Sequence, residues 1–344
     1  MEPRETLKMK AIDSKNISVI IQGLYNPKIT PLCLKSIKKH LPEAEVILSL
    51  SEQPVEALAT DGIDKLIINE KSQIFPDSPE KNTRFNNVNP QIISTVAGLK
   101  AATQPYALKI RTDFWLKSAD FLKYFDKCPK SDLDYKIFNH KVVDCAYFAR
   151  QPKSYAFHPS DIALFGETTD LLNLFDVPLM TEKESNWQGI CCWRYVPEQH
   201  IFINCLRKNG KKVDYDCLME PITKKNIIET EKYFASNFIF LSFRRFGLVP
   251  ADKFYDIEKN KYKNCFTYVE GLRLYQKYID PGFKIDENDV ERKFINGIRT
   301  KPSCKFIARI ISLFFIGKKN KGIRRKIRST VPALLCKIML KGRL

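Results

Sequence analysis

A chain of 344 residues with 44% hydrophobic content can bury one large domain, or a domain with an appendage. Its formal charge of +18 is unevenly spread: residues 292–344 hold sixteen Lys and Arg and no acid, which leaves +2 for everything before them. A near-neutral body argues against nucleic acid as the partner of the main site. Ten scattered cysteines without a C-x-x-C pair, and only four histidines, argue against a zinc module. With no secretory signal at the polar start, the thiols point to the reducing cytoplasm. No apolar stretch reaches the ~20 residues that span a bilayer.

The predicted elements alternate between strand and helix. Residues 1–15 are expected to form a polar arm. Residues 17–23, Ile-Ser-Val-Ile-Ile-Gln-Gly, read as a first buried strand that closes on Gln22 and Gly23. Thr30 as N-cap and Pro31 in the first turn open a helix to residue 40, with Leu34 and Ile37 facing inward. Strands are expected at 45–49 and 63–68. Residues 70–88, rich in Asn, Pro, Asp and Lys, make a long loop of the kind that carries function. A helix follows at 89–99, capped by Asn89, with Gln91 in its first turn pointing toward the sheet edge.

The stretch Tyr106-Ala-Leu-Lys-Ile-Arg-Thr-Asp113 is predicted as the fourth strand, ending abruptly on polar residues. In an open α/β sheet ligands bind beyond the carboxyl ends of the strands, which is where Asp113 would sit. The structural alternative is an Arg–Asp pair that merely ends a strand. Further strands are expected at 134–138 and 163–165, the latter preceded by Asp161, and a helix at 167–175. Trp187 and Trp193 could wall a sugar pocket, though packing is the commoner role of tryptophan. A helix at 197–207 is predicted as the last of the body, with Pro197 in its first turn and Glu198 at its N-terminal rim, where a carboxylate compensates the dipole or serves as a base. The body is expected to end at 250. The extension 251–344 would hold an amphipathic helix at 304–316 and a tail of interleaved basic and apolar residues suited to an anionic membrane surface.

Together these segments resemble the WavE lipopolysaccharide synthesis family of bacterial glycosyltransferases with a GT-A-like domain. The resemblance rests on Ser18-Val-Ile-Ile-Gln-Gly23, Cys33-Leu-Lys-Ser-Ile-Lys-Lys-His40, Glu45-Val-Ile-Leu-Ser49, Asn87-Val-Asn-Pro-Gln-Ile-Ile-Ser-Thr95, Leu108-Lys-Ile-Arg-Thr-Asp113 and Pro197-Glu-Gln-His200. It covers roughly residues 16–245. Pro90 stands where the family pattern leads one to expect an arginine, which weakens the case for a phosphate contact there.

The resemblance implies a doubly wound, mostly parallel α/β sheet flanked by helices, with the basic helical extension appended. It also implies sugar transfer from a nucleotide-diphospho-sugar to a hydroxyl of a lipid-linked oligosaccharide or lipopolysaccharide core acceptor. Gln22, Gly23, Arg84, Asn87, Gln91, Arg111 and Asp113 would receive the donor. The usual Asp-x-Asp is replaced here by Arg111-Thr112-Asp113. Either Asp113 holds Mn²⁺ or Mg²⁺, the first reading, or Arg111 neutralises the diphosphate without a metal. Glu198, and after it Asp161, is the expected base. The protein would be cytoplasmic and peripheral on the inner membrane. The rivals are a nucleotidyltransferase, for which the first turn lacks glycines, and a non-catalytic nucleic-acid- or membrane-binding protein.

Overall fold

The computed structural model describes residues 12–250 and 265–286, apart from short stretches within 53–60, 74–84, 147 and 188–192. In chain order the strands are β1 (Ile17–Gly23), β2 (Glu45–Leu50), β3 (Lys65–Ile68), β4 (Phe75–Pro76), β5 (Phe85–Asn86), β6 (Tyr106–Arg111), β7 (Phe114–Leu116), β8 (Val142–Cys145), β9 (Leu164–Glu167), β10 (Phe238–Leu241) and β11 (Leu248–Pro250). The helices are α1 (Thr30–His40), α2 (Val88–Ala101), α3 (Thr168–Phe175), α4 (Glu182–Ser185), α5 (Pro197–Lys208), α6 (Lys224–Asn237), α7 (Phe243–Phe246) and α8 (Tyr268–Tyr278).

Seven strands form one sheet in the order β10-β8-β9-β6-β1-β2-β3. The pairs β1–β2, β1–β6, β2–β3 and β10–β8 are parallel; β9 alone runs antiparallel, between β6 and β8. The Val- and Ile-rich β1 is buried along nearly its whole length, as a central parallel strand covered on both faces must be. The order turns at β1, which has β2 on one side and β6 on the other, and this reversal leaves a crevice at the carboxyl edge.

Helix α2 crosses β1 and β2 at close range because Gly98 has no side chain: a Cβ there would lie 2.5 Å from Ile20 Cγ2. An aromatic core beneath β10 joins Phe234, Phe238, Phe240 and Phe266. Phe121 stacks on Phe246 and meets Phe165 at a tilt.

Several expectations are corrected. Thr30 is the first helical residue rather than the N-cap: its Oγ1 accepts from the Asn26 N–H and donates to the Thr112 carbonyl, tying α1 to the end of β6. Asn89 lies inside α2, where its side chain makes two hydrogen bonds with the Met180 backbone instead of capping. Residues 134–138 form a turn, because Asn237 supplies the partners a strand neighbour would: it accepts from the Ile137 N–H and donates to the Tyr135 carbonyl. The strand of that region is β8. Helix α5 is followed in the same compact unit by α6 and α8, so that unit takes in residues beyond 250. Trp187 packs against the Arg194 guanidinium at 4.2 Å. The helix expected at 304–316 and the basic tail lie outside the described residues.

Candidate functional site

Three chain segments meet at the carboxyl edge. Strand β6 delivers Lys109 and Arg111, and the turn that follows it delivers Asp113. The connection from β8 to β9 delivers His158 and Asp161, because the antiparallel β9 begins at this edge, with Leu164 opposite Lys109. The first turn of α5 delivers Glu198. The cause of their meeting is topological: strand ends and a helix start all face the crevice of the switch point.

Arg111 holds Asp113 with a two-pronged grip, Nε to Oδ1 and Nη2 to Oδ2, each at 2.9 Å. The pair is mostly shielded, with side-chain exposures of 26% and 11%. Burial works against the Arg111 charge, but Asp113, then Asp161 and Glu198, outweigh it and hold the guanidinium above its ordinary range. Both Asp113 oxygens are turned to the guanidinium. Among the described residues, a group of three potential metal ligands in mutual reach is His140, Glu167 and Asp170, and Glu167 pairs with Tyr106 at the opposite edge of the sheet. The guanidinium at this edge can hold an anion through its planar fork.

Asp161 is fixed from two sides. Gln91 Nε2 donates to its Oδ2 at 2.8 Å, and the buried Lys109 ammonium donates to its backbone carbonyl. Lys109 is fully enclosed, also lying over the Phe175 ring. Burial pushes its ammonium down to about 8, against the opposing pull of Asp161. Asp144, two strands away on the same face, is fully buried and held well above the carboxylate range by burial; its Oδ2 accepts the Ser160 N–H and its Oδ1 has no hydrogen-bond partner.

Glu198 is pushed up to about 8, first by burial and then by the charge of Asp161, with Arg150 and Arg111 opposing. His158 Nε2 lies 3.7 Å from Glu198 Oε2, and burial, then Arg150, hold that imidazole down to about 4. At neutral pH the contact is therefore a carboxylic acid facing a neutral ring, not an ion pair. Such a set can grip an anionic group at Arg111 and exchange a proton at Glu198.

Of the residues singled out from the sequence, Gln91, Arg111, Asp113, Asp161 and Glu198 fall in this one cluster. Gln22 and Gly23 end the adjacent strand. Gln22 is buried with its Oε1 unpartnered, and Gly23 has φ +131°, its backbone pressed against Thr112. Asn87 is exposed at the N-cap of α2, and Arg84 lies outside the described residues. Lys109, Asp144 and His158 were missed. The signal for the first two was present: a charge in the middle of an apolar run, Ala-Leu-Lys-Ile and Val-Val-Asp-Cys. Nothing local marked His158.

The family model for WavE lipopolysaccharide synthesis matches residues 17–301, further along the chain than the resemblance at 16–245 reached. No curated protein matches the chain. The model spans well over half of the chain, both sides of the crevice included, and the protein belongs to the WavE lipopolysaccharide synthesis family.

Proposed function

We propose that this protein is a glycosyltransferase with a GT-A-like domain, moving a sugar from a nucleotide-diphospho-sugar to a hydroxyl of a lipopolysaccharide or other surface-polysaccharide intermediate. The observation that carries the reading is the meeting of the Arg111–Asp113 fork with the buried carboxyl of Glu198 at the crevice of the switch point. Membership of a lipopolysaccharide synthesis family supplies the biological class.

In this reading Arg111 binds the donor diphosphate, and Gln22 and the Gly23 backbone receive the nucleotide. Negative charge builds on the diphosphate as the glycosidic bond breaks, and a guanidinium already oriented by Asp113 stabilises it without reorganising. Glu198 takes the proton of the acceptor hydroxyl. A base poised near 8 is strong enough to do so and is still partly ionised at neutral pH. Asp161, anchored by Gln91 and Lys109, sustains that basicity and is the second candidate for the same role. Arg111 supplies positive charge in this reading, and the comparison with and without Mn²⁺ decides whether a metal at Asp113 adds to it.

The basic tail of residues 292–344 would hold the enzyme on the anionic inner-membrane surface, where a lipid-linked acceptor is presented. The test is a panel of sugar nucleotides incubated with the full chain and lipopolysaccharide-core or lipid-linked acceptors, with Mn²⁺ or with a chelator. Transfer from one donor that survives chelation supports the reading. Absence of both transfer and donor binding across the panel overturns it.

A further inference from the structure

His158 sits in a loop bent by force. Among the described residues the non-glycine residues with left-handed backbone are Phe148, at φ 69°, and Phe157, at φ 53°, both in the connection between β8 and β9. Each is a strained conformation for a bulky side chain and persists only where the surroundings impose it. Here they do. Phe157 is fully buried, and its N–H donates to Thr230 Oγ1 at 3.1 Å. The His158 carbonyl accepts from the Arg150 N–H at 2.9 Å, and Tyr155 packs edge-on to the imidazole with centroids 5.4 Å apart.

The result of this strain is one placement, His158 against Glu198. The imidazole Nδ1 lies 3.3 Å from the Pro159 carbonyl, an acceptor, so Nδ1 carries the ring proton in the neutral tautomer. Nε2 then carries the lone pair and lies 3.7 Å from Glu198 Oε2, just beyond hydrogen-bond distance, as catalytic contacts often do before substrate binds. The other groups acting electrostatically on that carboxyl are Asp161 and Arg150 from the same connection and Arg111 from β6, while the Cys265 thiol, beside Arg150, feels its charge. Among them His158 offers a neutral acceptor.

On the glycosyl-transfer reading above, we propose that His158 is the positioning residue for Glu198: its Nε2 lone pair steers the carboxyl and disfavours its anion, so that Glu198 gives its proton to solvent before it takes the proton of the acceptor hydroxyl. A lone pair facing a carboxyl disfavours the anion, so removing it should make Glu198 easier to ionise but less well placed. The strained connection is then the device that keeps the lone pair there.

The test compares wild type with His158→Phe and His158→Gln in two measurements. The first follows Glu198 directly, by ¹³C NMR titration of glutamate-labelled protein, with Glu198→Gln for assignment. The second is the pH–rate profile of sugar transfer. In His158→Phe the Glu198 titration and the rising limb of the profile should both move about one unit to lower pH, while the plateau rate falls roughly 10–100-fold. His158→Gln, which keeps a polar group, should recover part of the plateau. An unmoved Glu198 titration in a folded His158→Phe protein overturns the proposal whatever the rates do. A titration that moves as expected in a protein that transfers no sugar upholds the contact and overturns the glycosyltransferase reading instead.

Discussion

Arg111 and Asp113, two residues apart, close on each other through two parallel hydrogen bonds of 2.9 Å at the very end of the strand that leads into the crevice. Such a fork is rigid in a way that a lysine pair is not, because both the guanidinium plane and the carboxylate plane are fixed. Removing one half strands the other in a shielded position. Arg111→Met should lower stability by about 2–4 kcal/mol, somewhat below the range for a wholly buried pair. It should also weaken sugar-nucleotide binding at least tenfold. Arg111→Lys should restore the charge but not the fork, recovering stability in part and affinity less. Chemical denaturation and calorimetric titration of the donor measure the two effects separately.

Glu198 carries the sharpest pH dependence. Its carboxyl rises from an ordinary 4.5 to about 8 in the folded protein. A group raised in this way favours the fold in its protonated form, so its contribution is complete below 4.5 and is lost as pH climbs through 8. Glu198→Gln should therefore flatten the decline of stability between about pH 5 and 8. Sugar transfer runs the opposite way, since the base must be ionised: the wild-type rate should climb as pH approaches 8. The variant should bind donor normally yet lose about 10²–10⁴-fold in rate. Normal turnover by Glu198→Gln would remove this residue from the chemistry.

Lys109 illustrates a cost retained in the core. Its ammonium is fully buried and lowered from 10.5 to about 8, so the stability it contributes is complete only above 10.5 and is lost as pH falls through 8. At neutral pH the desolvation cost is in force. Lys109→Met should melt at the same temperature as wild type or a few degrees higher, because the replacement fits an apolar strand without a charge. The backbone of Asp161 loses its anchor in exchange, and transfer should fall roughly 10–100-fold. A variant that is both less stable and fully active would contradict this account. Thermal melts at pH 7 and single-donor assays suffice.

Gly98 sets the distance between α2 and the sheet. Alanine is the better helix former by about 1 kcal/mol, but its Cβ would stand 2.5 Å from Ile20 Cγ2 and 3.4 Å from the Ser49 Cβ. Overpacking of that kind costs about 1–3 kcal/mol, so Gly98→Ala should be destabilising on balance. Because α2 also carries Gln91, the shift should loosen Asp161 and lower the rate. An equal change at Gly210, where nothing lies within 4 Å of the added carbon, provides the control for backbone conformation alone, since its φ of +72° strains alanine without a clash. Denaturation midpoints of the two variants distinguish the causes.

The strand at residues 17–23 and the helix at 30–40 were readable because local pattern and global role agree: apolar β formers for a strand buried on both faces, and a proline at a helix start. Residues 134–138 misled because a distant side chain, Asn237, takes up their backbone groups, and no local pattern announces a partner a hundred residues away. Asn89 misled for the same reason, its side chain bonding to Met180 rather than to its own helix.

By itself the sequence determined the alternation of strands and helices, the polar end of the fourth strand and the family, since these depend on short-range periodicity and on quoted runs of residues. Tertiary structure alone decided which charges share one environment. Asp161 and Glu198 lie 37 positions apart, and Lys109 and His158 further still, yet they meet because an antiparallel β9 starts where the parallel strands finish. The opposing values of Glu198 and His158 follow from that meeting. Burial and neighbouring charge shift a proton's affinity over a few ångströms, and those distances are set by strand order and loop strain, not by position along the chain.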